Sequence, residues 1–272
     1  MKRTAFLISF LSVVLVACTV SPTGRRQLML VSEGQAISAS REAYLGQMAD
    51  LRGEGKLVTD PLLLRRIDTI TGKLITEAIQ MRPETADWEW SVEVIDEPDV
   101  INAWCMAGGR MAIYTGLIQQ LDATDDEIAQ VMGHEIAHAL ANHTAERMSV
   151  AMAANLGVAA AGILSDRPNA AMGAAAMAAT VAIQLPNSRA SESEADRIGI
   201  ELAAKAGYHP EAAITLWQKM ERASGGGPPA FLSTHPSPGQ RQESLAALVP
   251  EMLPYYERGG SGAVYPIRRT TQ

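Results

Sequence analysis

Apolar and polar positions recur along the chain with more than one period, and each period predicts an element. Helical spacing begins near Ser32 in SEGQAISASREAYLGQM and returns from Pro61 in PLLLRRIDTITGKLITEAI, with the loop RGEGKLVTD between them. From Trp88 to Asp96, WEWSVEVID switches to strict alternation, the pattern of a half-buried strand. After Gly108-Gly109, a turn or bulge, RMAIYTG reads as a second strand. A capping box at Thr124 to Glu127, TDDE, opens a helix whose periodicity runs past His143 toward Arg147. Met148 to Leu185 is rich in alanine, glycine and methionine and is broken by SDRPN. It predicts two small-residue helices, either packed on the protein or dipping into a membrane. Helices resume in SRASESEADRIGIELAAKAG, PEAAITLWQKMERA and GQRQESLAALV. SGGGPPAFLSTHPSP is a loop, and the stretch from Gly259 reads as a flexible tail. The expected fold class is α+β, mainly helical, with a small β-sheet next to the histidine helix.

The ends of the chain add an address. Lys2 and Arg3 precede an apolar run, Ala5 to Val16, that is too short to span a bilayer comfortably. It closes on Leu15 to Cys18, LVAC, which resembles a bacterial lipobox with Cys18 as the lipidated residue. The expected division is 1–17 signal peptide, 18–31 lipidated N-terminus and tether, 32–250 folded domain, and 251–272 C-terminal tail. Thr19 after the cysteine favours attachment to the outer membrane of a Gram-negative envelope, facing the periplasm. The 272 residues suffice for one sizeable domain, and a net charge of −7 without a basic stripe argues against nucleic acid as a partner. With Cys18 acylated, Cys105 has no partner within the chain and is either a buried free thiol or a link between chains.

The chemistry lies in QVMGHEIAHALANH. His134 and His138 are four residues apart and share a helical face, so they can present two nitrogens to one metal ion. Glu135 is turned away by one residue and can hold a water bound to that ion as general base. His143 does not belong to this set: nine residues from His134 at about 100° per residue, it faces the opposite side and reads as a structural or surface histidine. A third ligand must come from elsewhere. In SRASESEADRIG, Glu192 and Asp196 are four apart, so Glu192 is the candidate ligand and Asp196 the acceptor for the outer nitrogen of a metal histidine, His134. Glu194 lies on the other side of that helix. This arrangement is the gluzincin type of zinc-peptidase domain, with one Zn2+ per chain.

NAWCMAGGRMAIYTGLI, DDEIAQVMGHEIAHALANHTAER, SRASESEADRIG and STHPSPGQR together resemble peptidase family M48, which includes HtpX and the CAAX prenyl proteases. The lipobox and PTGRRQL resemble its small bacterial lipoproteins. The resemblance implies zinc on His134, His138 and Glu192 with Glu135 as base. It implies a substrate-binding strand, Arg110, Met111, Ala112, Ile113 and Tyr114, whose free edge pairs with an extended backbone. It also draws in His235, either as oxyanion stabiliser or as a fourth ligand that closes the site, and Arg241, which steadies that loop or binds a substrate carbonyl. The function so implied is an endopeptidase acting on unfolded or misassembled envelope proteins. The alternative is a chaperone or assembly factor that holds such clients around a latent zinc site.

Overall fold

The computed structural model describes residues 18–164, 188–223, 230–235, 241–267 and 269. The expected signal peptide, the second half of the alanine-rich hairpin and Pro236 to Gln240 lie outside them. The described chain falls into two compact units: residues 1–36 with 142–185, and 37–141 with 186–272.

In the first unit, β1 (Cys18–Val20) pairs antiparallel with β2 (Arg26–Leu28), and Gly24, at φ 88°, closes the turn between them. The stretch expected as a tether is therefore a hairpin. It is fixed to helix α5 (His143–Leu164) by charge: Arg25 grips Glu146 with two bonds of 2.7 and 2.6 Å, and Gln27 adds a third at 3.0 Å. No helix among the described residues is long and apolar enough to cross a membrane.

The second unit carries the three-stranded sheet. Helix α1 (Glu33–Gly53) leads from the first unit into it, and α2 (Pro61–Met81) follows, started by Asp60, whose side chain caps Leu62 N–H, with Pro61 in the first turn. After a short 3-10 turn (Pro83–Asp87) come β3 (Ser91–Ile95), β4 (Ala103–Met106) and β5 (Arg110–Tyr114). The order in space is β3-β5-β4, with β3 parallel and β4 antiparallel to β5. Met111 and Ile113 enter the main core with Ile67, Ile70, Leu74 and Ile136, while Ala112 turns to Tyr44 and Met48 of α1. The sheet is thus covered on both faces.

This order corrects the expectation for Arg110 to Tyr114. Both edges of β5 are occupied by neighbouring strands, so none of these five residues offers a free edge. The strand whose outer edge pairs with no other strand among the described residues on the active-site side is β4. Its sequence, AWCM, alternates little in hydrophobicity and was read only as part of a general β region.

A short helix, α3 (Thr115–Gln120), precedes α4 (Asp125–Leu140), which has the expected reciprocal capping box between Thr124 and Glu127. The histidine helix does not run through His143. It stops at Ala141, Asn142 adopts φ 56°, and His143 begins a new helix, buried at 2% exposure. Helices α6 (Arg189–Lys205), α7 (Ala212–Ala223), α8 (Ala230–Thr234) and α9 (Arg241–Glu257) complete the unit. The described residues after Gly259 are irregular but held, unlike the expected flexible tail. Tyr265 N–H donates to Gly72 O at 3.0 Å, and a Cβ on Gly72 would lie 2.6 Å from Val264.

Candidate metal centre

Helices α4 and α6 cross where neither has a side chain. A Cβ on Gly133 would lie 2.8 Å from the carbonyl oxygen of Gly199, and one on Gly199 would lie 2.7 Å from the amide nitrogen of His134. Backbones therefore approach to van der Waals contact one residue from the first histidine, which brings the acidic start of α6 against the histidine face of α4.

At that crossing His134, His138, Glu192 and His235 converge, all buried, with one ligand atom from each within 4.8 Å of the others. His134 Nε2 lies 3.0 Å from His138 Nε2 and 3.2 Å from His235 Nδ1. Glu192 Oε1 is 3.1 Å from His235 Nδ1 and 3.4 Å from His138 Nε2, and its Oε2 is 3.4 Å from His134 Nε2. A tetrahedral zinc site with bonds near 2.0–2.1 Å has ligand atoms about 3.3 Å apart. The spacing and the donor set, imidazoles plus a carboxylate in a dry pocket, both fit such an ion.

The surroundings tune these groups. His134 Nδ1 donates to Asp196 Oδ1 at 3.0 Å, which leaves Nε2 to face the cluster. Burial and the nearby Arg241 charge act to lower the pKa of His134, but the carboxylates of Asp196 and Glu192 outweigh them and push it up to about 9. A metal ion held at Nε2 would take the place of that proton. Burial also works against the Glu192 charge, yet His134 and His235 hold its carboxyl far below the usual range. Arg241, 1% exposed, links the carboxylates: one nitrogen donates to Glu192 Oε2 at 3.1 Å, the other to Asp196, and its plane lies 3.8 Å over the Trp217 ring.

Glu135 stands apart from these bonds. Its Oε1 is buried and has no hydrogen-bond partner among the described residues, and the nearest ionisable atom is His235 Nε2 at 3.4 Å. Burial raises the pKa of its carboxyl, while His235, His134 and the Cys105 N–H pull the other way. Tyr114 N–H donates to Asn102 O at 3.1 Å, so in the alternating ladder Trp104 and Met106 bond to β5 while Ala103 and Cys105 turn their amides outward. The outward Ala103 N–H donates to Asn102 Oδ1 at 3.0 Å, and the backbone of Cys105 is among the groups that lower the Glu135 carboxyl. The Cys105 thiol is free and buried, and burial first, then the Glu135 charge, raises its pKa.

The sequence-derived residues thus fall into three groups. His134, His138, Glu192 and His235 meet in one cluster, with Asp196 and Arg241 directly behind it. Glu135 lies beside the cluster with a free oxygen. Arg110 to Tyr114, His143 and Glu194 are outside it, the last two buried elsewhere. Sequence reasoning missed Gly133 and Gly199, although a glycine immediately before a metal-binding histidine was a visible signal. It also missed Phe231, whose ring stacks on His235 at 4.5 Å and 16°, and whose N–H donates to Ile101 O at 3.2 Å.

Over 247 residues the chain is 34% identical to "Metalloendopeptidase OMA1, mitochondrial" of Bos taurus, spanning 86% of this chain and 46% of that protein. With "Mitochondrial metalloendopeptidase OMA1" of Arabidopsis thaliana it shares 36% over 163 residues, which is 58% of this chain and 31% of the relative. With "Beta-barrel assembly-enhancing protease" of Escherichia coli K12 it shares 27% over 237 residues, covering 83% and 47% respectively. The chain therefore spans half or less of these relatives. The model of peptidase family M48 matches residues 59–249. Because that span holds the sheet, the histidine helix, the helix of Glu192 and the start of α9 together, the chain belongs to peptidase family M48.

Proposed function

We propose that the chain is a zinc-dependent endopeptidase that hydrolyses peptide bonds of unfolded or misassembled cell-envelope proteins. One Zn2+ per chain sits on His134, His138 and Glu192. The observation that carries this reading is the buried Oε1 of Glu135, which makes no hydrogen bond among the described residues, beside four converging ligand atoms. A structural metal site has no use for such a carboxylate. When bound, the ion supplies Lewis acidity, which acidifies a water and polarises the scissile carbonyl.

The chain's own groups do the rest. Glu135 takes the water's proton and relays it to the leaving amine, and its raised pKa suits that exchange. Asp196 sets the His134 tautomer, and Arg241 keeps Glu192 and Asp196 in place. An extended substrate pairs with the outward carbonyls of β4, giving affinity through backbone bonds with little demand on side chains. His235, with Nδ1 among the ligand atoms, is a fourth ligand that closes a resting site rather than an oxyanion donor. We assign the protein to the Gram-negative envelope, anchored by lipid on Cys18 to the outer membrane; the printed name of the Escherichia coli relative supports an envelope role.

The same position of His235 favours a second reading, a chaperone or assembly factor whose latent zinc site stays shut. Incubation with unfolded casein, with and without a chelator, separates the two. Cleavage that the chelator abolishes supports the peptidase; zinc-loaded protein that never cleaves supports the holding factor. Glu135→Gln is expected to keep one zinc per chain and lose about 100-fold or more in cleavage rate. Cleavage at the wild-type rate by that variant would overturn the mechanism.

A further inference from the structure

A cavity of about 430 Å3 lies in the same unit as the metal cluster and shares no lining residue with it. Its walls come from α1, the stretch leading into β3, the first residue of β5 and the C-terminal segment. Arg110 shares the sheet face of Ala112, away from the main core, so the strand's alternation turns it into this space. Its side chain is 4% exposed, yet its carboxylate partner is Glu89, a side chain 66% exposed. Arg41 leans on the same Glu89 at 3.5 Å. Two guanidinium groups thus share one carboxylate that can swing into water at little cost. Burial first, then the Arg41 charge, lowers the pKa of Arg110, as expected for two cations held close together. The third cation of the lining, Arg269, is engaged elsewhere, by Asp68 and Glu93.

Three aromatic rings, Trp88, Trp90 and Tyr265, line the cavity together with Leu45, Ser91 and a second carboxylate, Asp87. Trp88 and Trp90 stand 5.1 Å apart. Trp90 is pinned by its Nε1 donating to Thr85 O at 2.8 Å, and by Gly109, where a Cβ would strike the ring at 2.4 Å. Tyr265 also lines the cavity and is held by its own backbone bond to Gly72. Paired guanidinium groups match the planar, two-oxygen geometry of a carboxylate, and aromatic walls accept an apolar group beside it. A peptide's last residue presents both at once.

We propose that this cavity binds the free C-terminal carboxylate of a peptide whose last residue is apolar, with Arg110 and Arg41 clasping the carboxylate in place of Glu89 and the aromatic walls covering the side chain. The choice of a peptide as the acid rests on the peptidase reading, since each cleavage liberates a new C-terminal carboxylate. Binding itself requires no catalysis, so the two ideas fail separately.

The test is calorimetric titration of full-length, zinc-loaded Glu135→Gln protein with a hexapeptide ending in leucine, as the free acid and as the amide. The acid is expected to bind about tenfold tighter than the amide. Arg41→Ala, at an exposed position that leaves the core intact, should abolish that preference. Glu89→Gln should strengthen acid binding several-fold and leave the amide unchanged, because the resident competitor is gone. Zinc content should be the same in all three proteins. Equal binding of acid and amide overturns the proposal. So does a preference that survives Arg41→Ala, which would mean capture at the metal cluster, or weaker acid binding in Glu89→Gln.

Discussion

Arg241 lies between two buried carboxylates, with Glu192 at 0% and Asp196 at 10% side-chain exposure. Without a metal ion it is the permanent positive charge in contact with both. Replacing it with glutamine leaves desolvated negative charge behind, a change that costs about 3–5 kcal/mol for a buried pair. Arg241→Gln is therefore expected to lose stability of that order in chelator, by urea denaturation, and to regain part of it when zinc supplies the missing charge. Equal stability of variant and wild type in chelator would show that the guanidinium holds nothing. The residue also marks how far the sequence could be read. His134 with His138, and Glu192 with Asp196, were legible because four-residue spacing on a helix is a local property. Nothing local in STHPSPGQR says that its arginine reaches carboxylates some 45 residues earlier in the chain; the likeness to a family singled it out, and the fold assigned the partners.

Between elements, the site depends on how closely α4 and α6 approach. The clustered side chains on the two helices, His134, His138 and Glu192, meet because Gly133 and Gly199 let the backbones touch. Gly199→Ala puts a methyl group 2.7 Å from His134 N, where the obstacle is backbone and has no rotamer to escape into. Overpacking of this kind costs about 1–3 kcal/mol, and any relief must come from moving α6, which carries Glu192. The expected outcome is a lower melting temperature together with weaker zinc binding, measured by competition with a chromophoric chelator. Lost stability with unchanged zinc affinity would mean that the helices part at the other end. Strand order was the corresponding blind spot of the sequence. Alternation marked β3 as a strand but a half-buried one, whereas all five of its residues are buried, and it carries no information about which neighbour lies on each edge. So the outer edge expected of Arg110 through Tyr114 belongs, among the described residues, to β4.

Across the molecule, every residue of the cluster belongs to the unit formed by 37–141 and 186–272, and the chain leaves that unit at Asn142, directly after the histidine helix. The positive φ there explains why helical periodicity ran on past His143 in the sequence while the helix did not: apolar spacing continues through a bend that a single asparagine makes possible. Within this unit α8 performs two tasks. Phe231 N–H occupies the carbonyl of Ile101 at the start of the substrate edge, and the same short helix delivers His235 to the fourth position of the cluster. His235→Ala removes the fourth ligand and leaves three, the number expected of a catalytic zinc. Casein cleavage should rise several-fold, with zinc still at one per chain and with sensitivity to chelator increased, because the ion has one ligand fewer. A fall in cleavage at full zinc occupancy would reverse the assignment, making His235 a group that acts on the substrate during the reaction rather than one that holds the site closed before it.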